Sequence, residues 1–169
     1  MAIKSVITVP NSLLRKQTQR IQAIDARIRS LVIDMFDTLA HVEGVGLAAP
    51  QIGVLLRLCV LHIPEWEPFV LVNPEIVKRS GERGVEESCL SIPGYQGKIK
   101  RAVEVTVEGL DLEGEPLRLK ARELLAQVLE HEIDHLDGVL YTDYLKSPSQ
   151  LYKIEPEESL WPEEVSHVS

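Results

Sequence analysis

His131 and His135 lie four residues apart in the run HEIDH, with Glu132 directly after the first. On a helix of 3.6 residues per turn, positions i and i+4 project from one face, so both imidazoles can reach a single metal ion. Glu132 falls at the edge of that face, where a carboxylate can take part in chemistry at a metal without being a ligand. The bland alternative is a charged surface helix with incidental histidines. Leu124 and Val128 share the histidine face, however, so that face is expected to be buried or to line a pocket.

Two imidazoles do not complete a catalytic metal site, which needs a third protein ligand and an open position. Cys59 sits inside the apolar run LLRLCVLHI, where a cysteine packs as a small hydrophobe. Cys89 sits in GVEESCLSIPG, between acidic residues and a Pro-Gly turn. That is an odd place for a core cysteine and a natural one for a functional thiolate, although a half-buried strand cysteine remains the other reading. His41 ends a helix, His62 lies in a strand and His167 lies near the C-terminus. All three are expected to be structural or solvent-facing.

The stretch GVGLAAPQIG, Gly44 to Gly53, lacks the Gly-Lys-Ser/Thr ending of a phosphate loop and follows a helix, so a nucleotide site is excluded. Gly44 and Gly46 read as positions where another backbone approaches closely, and Gln51 offers an amide that can donate to a developing oxyanion. Taken alone, a tight turn into a strand explains the stretch at least as well.

These groups need a scaffold. Asp25 to His41 places Ile28, Leu31, Val32, Met35 and Leu39 at helical spacing, after a short stretch capped by Asn11. Leu55 to Ile63, FVLVNPEIV, KIKRAVEVTVEGLD and EPLRLK have the β-branched content and turn punctuation of antiparallel sheet. Ala121 to Leu136 is a second helix, stopped by Gly138. Helix, several strands, helix argues for an α+β fold.

The expected organisation is a single catalytic domain over residues 1–146 and an acidic, proline-broken tail over 147–169, docked by Leu151, Tyr152 or Trp161 if at all. With 169 residues, 44% apolar and 26% charged, the chain has material for one core. It has no apolar run long enough for a membrane span or signal peptide, and two cysteines in unlike settings, so a reduced, cytoplasmic protein is expected. A net charge of -8 argues against direct nucleic-acid binding.

Gly44 to Gln51 (GVGLAAPQ), Glu87 to Ser91 (ESCLS) and His131 to His135 (HEIDH) occur in the order and approximate spacing of the three signature motifs of the peptide deformylases. The chain resembles that family from its first helix to about Leu145. The resemblance implies an α+β fold with antiparallel sheets around a central metal-bearing helix. It also implies hydrolytic removal of the formyl group from the N-terminal formyl-methionine of new polypeptides. Cys89, His131 and His135 would be the ligands of one divalent metal, Fe2+ foremost, with Zn2+, Ni2+ or Co2+ as alternatives. Glu132 would be general base and acid, and Gln51 with the backbone N–H of Leu90 would bind the oxyanion. Val45, Val85, Leu124 and Val128 would line a methionine pocket, and the substrate backbone would pair with Gly44 to Leu47. The implied partners are formylated peptides and nascent chains, met by a monomer without nucleic acid or membrane.

The family's second motif usually has glycine where Ser88 stands, which puts a side chain just before the cysteine. Glu87 and Arg101 read as an ion pair, with a surface location the cheaper explanation. The rival readings are a peptide-cleaving metalloprotease, whose third ligand would come from downstream residues such as Glu155, Glu157 or Glu158, and a non-catalytic metal-binding domain closed by four protein ligands.

Overall fold

The computed structural model describes residues 2–154. Helix α1 spans Ala26–His41, and its N-cap Asp25 accepts hydrogen bonds from the amides of Arg27 and Ile28. Strands β1 (Gly46–Ala48), β2 (Leu58–Leu61), β3 (Phe69–Ser80), β4 (Arg83–Cys89), β5 (Ile92–Arg101), β6 (Glu104–Leu110) and β7 (Pro116–Arg122) follow, then helix α2 (Glu123–Leu136) and strand β8 (Leu151–Lys153). They form a five-stranded sheet in the order β1-β2-β3-β6-β7 and a three-stranded sheet in the order β4-β5-β8, antiparallel throughout.

The two helices cover opposite faces of the larger sheet. Cys59 and Leu61 of β2 pack with Leu125, Ala126, Leu129 and Ile133 of α2. Leu58 and Val60, pointing the other way, pack with Val32, Met35 and Leu39 of α1. A strand covered on both sides needs no polar alternation, which is why LCVL reads as an unbroken apolar run. All four of its residues are fully buried. A third cluster, with Ile92, Ile99, Leu140 and Tyr141, lies under the smaller sheet.

Three boundaries differ from the sequence expectation. The run KIKRAVEVTVEGLD is two strands in two different sheets, β5 and β6, with a corner at Ala102 and Val103. At that corner the Ala102 N–H donates to Glu130 Oε1 at 2.8 Å, so a side chain of α2 takes the place of a strand partner. Ala121 and Arg122, expected to open the helix, continue the β7 ladder opposite Val105 and Glu104. The expected boundary at residue 146 also falls short. Residues Leu151–Lys153 add a strand to β5, and Leu151 packs into the third cluster. Docking by Leu151 and Tyr152 is therefore a backbone ladder. Trp161, His167 and the glutamates from Glu155 onward lie outside the described residues.

Candidate metal centre and its cleft

The C-terminal half of α2 is buried all round, polar residues included: Glu130, Glu132, Asp134 and His135 are each under a tenth exposed. Polar groups survive such burial only when partnered, and the partners define the site. The His135 Nε2 lies 3.3 Å from Cys89 Sγ and 3.2 Å from His131 Nε2. Cys89 ends β4 at the tight turn into β5, where it pairs with Ile92. Strand and helix thus bring a thiol and two imidazoles, far apart in sequence, within 4.8 Å of one another. These separations approach the edges of a tetrahedron whose metal bonds are about 2.0–2.3 Å long. Among the described residues this is the cluster whose geometry fits a bound divalent metal.

The orientation of His131 is set from behind. Its Nδ1 lies 2.7 Å from Glu87 Oε2, so a proton there leaves Nε2 as a lone pair facing Cys89 and His135. Glu87 is held in turn by Arg101, Nε to Oε1 at 3.0 Å and Nη2 to Oε2 at 2.5 Å, with both side chains under 5% exposed. The Glu87–Arg101 pair is therefore a buried, bidentate support and not a surface ion pair. Burial alone would raise the Glu87 carboxyl, but hydrogen bonds from His131 and Arg101 outweigh it and hold it down at about 2. Arg101 also donates to Asp134 Oδ2 at 2.7 Å, and the Tyr144 hydroxyl donates to the same oxygen at 2.9 Å. Asp134 and Tyr144 escaped sequence reasoning because nothing local marks them. The available signal was the alternation that puts Glu87 and Cys89 on one face of a strand.

Glu132 is 3% exposed, and its Oε1 has no protein partner. Burial, countered in part by His131, raises its carboxyl to about 7, the range in which a group both takes and returns a proton. A Cβ added to Gly46 would lie 2.6 Å from Glu132 Oε2. Within the protein, the group nearest Gly46 is thus the Glu132 carboxylate, and Gly44 is approached by the Leu39 and Leu90 side chains. Gln51 is pinned at its carbonyl end, where Oε1 accepts from the Ala48 N–H at 3.0 Å. Its Nε2 therefore points at Ser91 Oγ, 3.1 Å away, and at Cys89 Sγ, 3.9 Å away.

A cleft of about 510 Å³ opens onto this centre, lined among others by Gly44, Val45, Gly46, Gln51, Cys89, Leu90, Leu124, Val128, His131 and Glu132. Val128 is buried in its wall, whereas Leu124 is 44% exposed at its rim. Val85 is the exception among the expected pocket residues. It does not line the cleft and packs instead against the third cluster: it shares the inward face of β4 with Glu87 and Cys89 but lies further from the turn. Ser88 sits exposed in β4 without a left-handed φ, so the backbone there accepts a side chain, which lies at the cleft. Cys59 is fully buried in the main core and its thiol is pushed up by burial, as expected of a packing residue. His41 and His62 are exposed.

An α+β domain with a cysteine sulfur and two imidazoles converging beside a buried glutamate, at the floor of an open cleft, defines a metal-dependent hydrolase. The family described as polypeptide deformylase matches residues 3–151. A peptide deformylase of Dehalococcoides mccartyi (strain CBDB1) is 49% identical over 166 residues, which is 98% of this chain and 99% of its own. The crystal structure of a peptide deformylase from Legionella pneumophila superposes with a TM-score of 0.84 at 46% identity, covering 88% of this chain and 89% of that one. A peptide deformylase from Ehrlichia chaffeensis, in complex with actinonin, superposes with a TM-score of 0.85 at 38% identity, covering 89% and 92%. The chain belongs to the polypeptide deformylase family and has its α+β fold.

Proposed function

We propose that this enzyme hydrolyses the formyl group from the N-terminal formyl-methionine of newly made polypeptides, releasing formate. The observation that carries the reading is the convergence of Cys89, His131 and His135 beside Glu132 in an open cleft. Cys89, His131 and His135 would hold one divalent metal. Ferrous iron is the leading candidate from family resemblance, with zinc, nickel or cobalt as alternatives, since affinity order and availability pull in different directions at an N/S site. When bound, such a metal supplies Lewis acidity and a water acidic enough to attack near neutral pH.

The chain's own groups do the rest. Glu132, raised to about 7, takes the proton from the attacking water and returns it to the departing amine. The Gln51 amide, with its carbonyl end fixed by Ala48, and the N–H of Leu90 face the formyl oxygen as charge develops there, an effect of about 3–4 kcal/mol per well-placed donor. Val128, Leu124 and Val45 receive the unbranched methionine side chain. Among the described residues β1 pairs with β2 alone, so the free edge at Gly44 to Leu47 can accept the substrate backbone as an added strand.

The non-catalytic alternative needs a fourth protein ligand, whereas among the described residues the cluster has three and an opening. The metalloprotease alternative needs a downstream third ligand, a place that Cys89 fills. No helix among the described residues is long and apolar enough to cross a membrane. The net charge of -8 supports an enzyme without nucleic-acid contacts, and a cytoplasmic monomer that meets freely diffusing chains completes the proposal. The deciding measurement is formate release from formyl-Met-Ala-Ser by ferrous-loaded protein under anaerobic conditions. Metal-loaded protein that releases no formate would overturn the proposal.

A further inference from the structure

The two donors assigned to the formyl oxygen come from different parts of the fold. Gln51 follows β1 of the larger sheet, whereas Leu90 lies in the turn between β4 and β5 of the smaller one. A side-chain bond links these two regions, from Gln51 Nε2 to Ser91 Oγ at 3.1 Å. The main chain of the N-terminal segment links them again: the Ile7 N–H donates to the Gln51 carbonyl at 2.7 Å, and the Val9 N–H donates to the Ser91 carbonyl at 2.9 Å. Further back the same segment is tied to α1, where the Ala2 N–H donates to Asp34 Oδ1 at 2.6 Å and the Lys4 N–H to Thr38 Oγ1 at 2.8 Å. Apart from Val6 and Ile7, residues 2–9 expose their side chains, so main-chain amides do most of the holding. Gln51 and Ser91 are buried, and a buried carbonyl that loses its donor has no water to replace it.

We infer that this N-terminal segment is a strap that sets the spacing of the two oxyanion donors, with Ile7 and Val9 as positioning residues acting through their main-chain amides. The inference rests on the deformylase reading. Amides two residues apart in an extended chain lie roughly 7 Å apart, at about 3.3 Å per residue, so the strap holds the Gln51 and Ser91 carbonyls at a set separation. The first bond fixes the backbone from which the Gln51 amide reaches the formyl oxygen. The second fixes the turn that carries the Leu90 N–H, one residue before Ser91. Oxyanion donors act only when they already stand where charge will develop. Cutting either bond lets one donor drift from the other while leaving Cys89, His131 and His135 in place.

Proline removes an amide donor without adding charge. The test compares kcat, KM, metal content and Tm of wild type, Ile7→Pro and Val9→Pro, all metal-loaded, on formyl-Met-Ala-Ser. A donor displaced by less than the 1 Å or so that costs about a hundred-fold gives an expected kcat loss of roughly ten-fold in each variant. KM and metal content are expected to hold, because the lost contact is made in the transition state and not with bound substrate. Since Ile7 acts through Gln51, Ile7→Pro should cost less than about two-fold more in a Gln51→Ala background, a coupling that a general loss of stability does not produce. Unchanged kcat in both proline variants, or a full Ile7→Pro loss in the Gln51→Ala background, would overturn the inference while leaving deformylation intact. If Tm and metal content show that Ile7→Pro has not folded, Val9→Pro, which cuts the other bond, must show the kcat-selective loss for the strap to stand. Wild type that releases no formate would overturn the activity reading and this inference with it.

Discussion

Replacing Gly46 by alanine tests how closely the centre is built. The new methyl group would lie 2.6 Å from Glu132 Oε2, 2.9 Å from its Cγ and 3.0 Å from its Cδ. Favourable contacts begin near 3.5 Å, so carboxylate and methyl must separate by roughly 0.5–1 Å. Gly46 has no left-handed φ, so alanine suits its backbone, and the group in the way is the end of a flexible side chain. The carboxylate therefore moves, and the fold loses only about 1 kcal/mol, at the low end of overpacking costs. That corresponds to a fall in Tm of about 2–4 °C for a domain of this size. The catalytic cost is larger, because a misplacement near 1 Å removes about a hundred-fold in rate. The expected variant binds metal like wild type, melts a few degrees lower and turns over formyl-Met-Ala-Ser some thirty- to a hundred-fold more slowly. The assay is steady-state formate release on protein of measured metal content. Turnover within two-fold of wild type would refute the claimed approach of Glu132 to Gly46. Metal loss in step with activity would show instead that the variant damages the donor cluster.

Cys89→Ala should lose metal and activity, while Cys59→Ala, a core truncation, should keep both and lose about 1 kcal/mol; metal stripped by Cys59→Ala would reverse the assignment. Glu132→Ala should retain metal and lose two or more orders of magnitude in turnover, which metal analysis beside kinetics would check. Val128→Phe should fill the methionine pocket and raise KM for formyl-methionyl peptides, and an unchanged preference for methionine over smaller formylated residues would remove Val128 from that pocket. Arg15 donates to Asp143 at 2.6 and 3.0 Å, and these bonds hold the Asp143 carboxyl below its usual range against the opposing effect of burial. The folded state thus binds that proton less readily than the unfolded chain, so the contribution is complete above the unfolded value near about 4 and is lost as pH falls through the folded one. Both partners are more than a third exposed, so Arg15→Ala should cost only about 0.5–1 kcal/mol at pH 7 and almost nothing near pH 2; a deficit that grows on acidification would contradict the pairing.

Much of the centre was legible in order of residues alone, because its signals are local. HEIDH on an amphipathic helix, a cysteine in a polar strand and a glutamine after a glycine-rich stretch each carry their chemistry in neighbouring positions. The helices, most strands and the α+β class follow from periodicity in the same way, since 3.6 and 2.0 repeats are properties of one segment. What lies between segments was decided by packing. Glu87 and Arg101 look like a surface pair in the chain, yet both are buried, where Arg101 also donates to Asp134 of α2 and Glu87 also meets His131. KIKRAVEVTVEGLD has one uninterrupted pattern, yet its halves join separate sheets, with Glu130 of α2 bonded to the corner at Ala102. Val85 has the right composition for the pocket and shares the inward face of β4 with Cys89, but it lies too far along the strand to reach the cleft. Ile154 gave no signal at all: a single isoleucine before an acidic, proline-containing tail joins the lining of the cleft through backbone hydrogen bonds to β5. Such ladders depend on which edge of which sheet is free, a property of the assembled fold and of no single stretch of sequence.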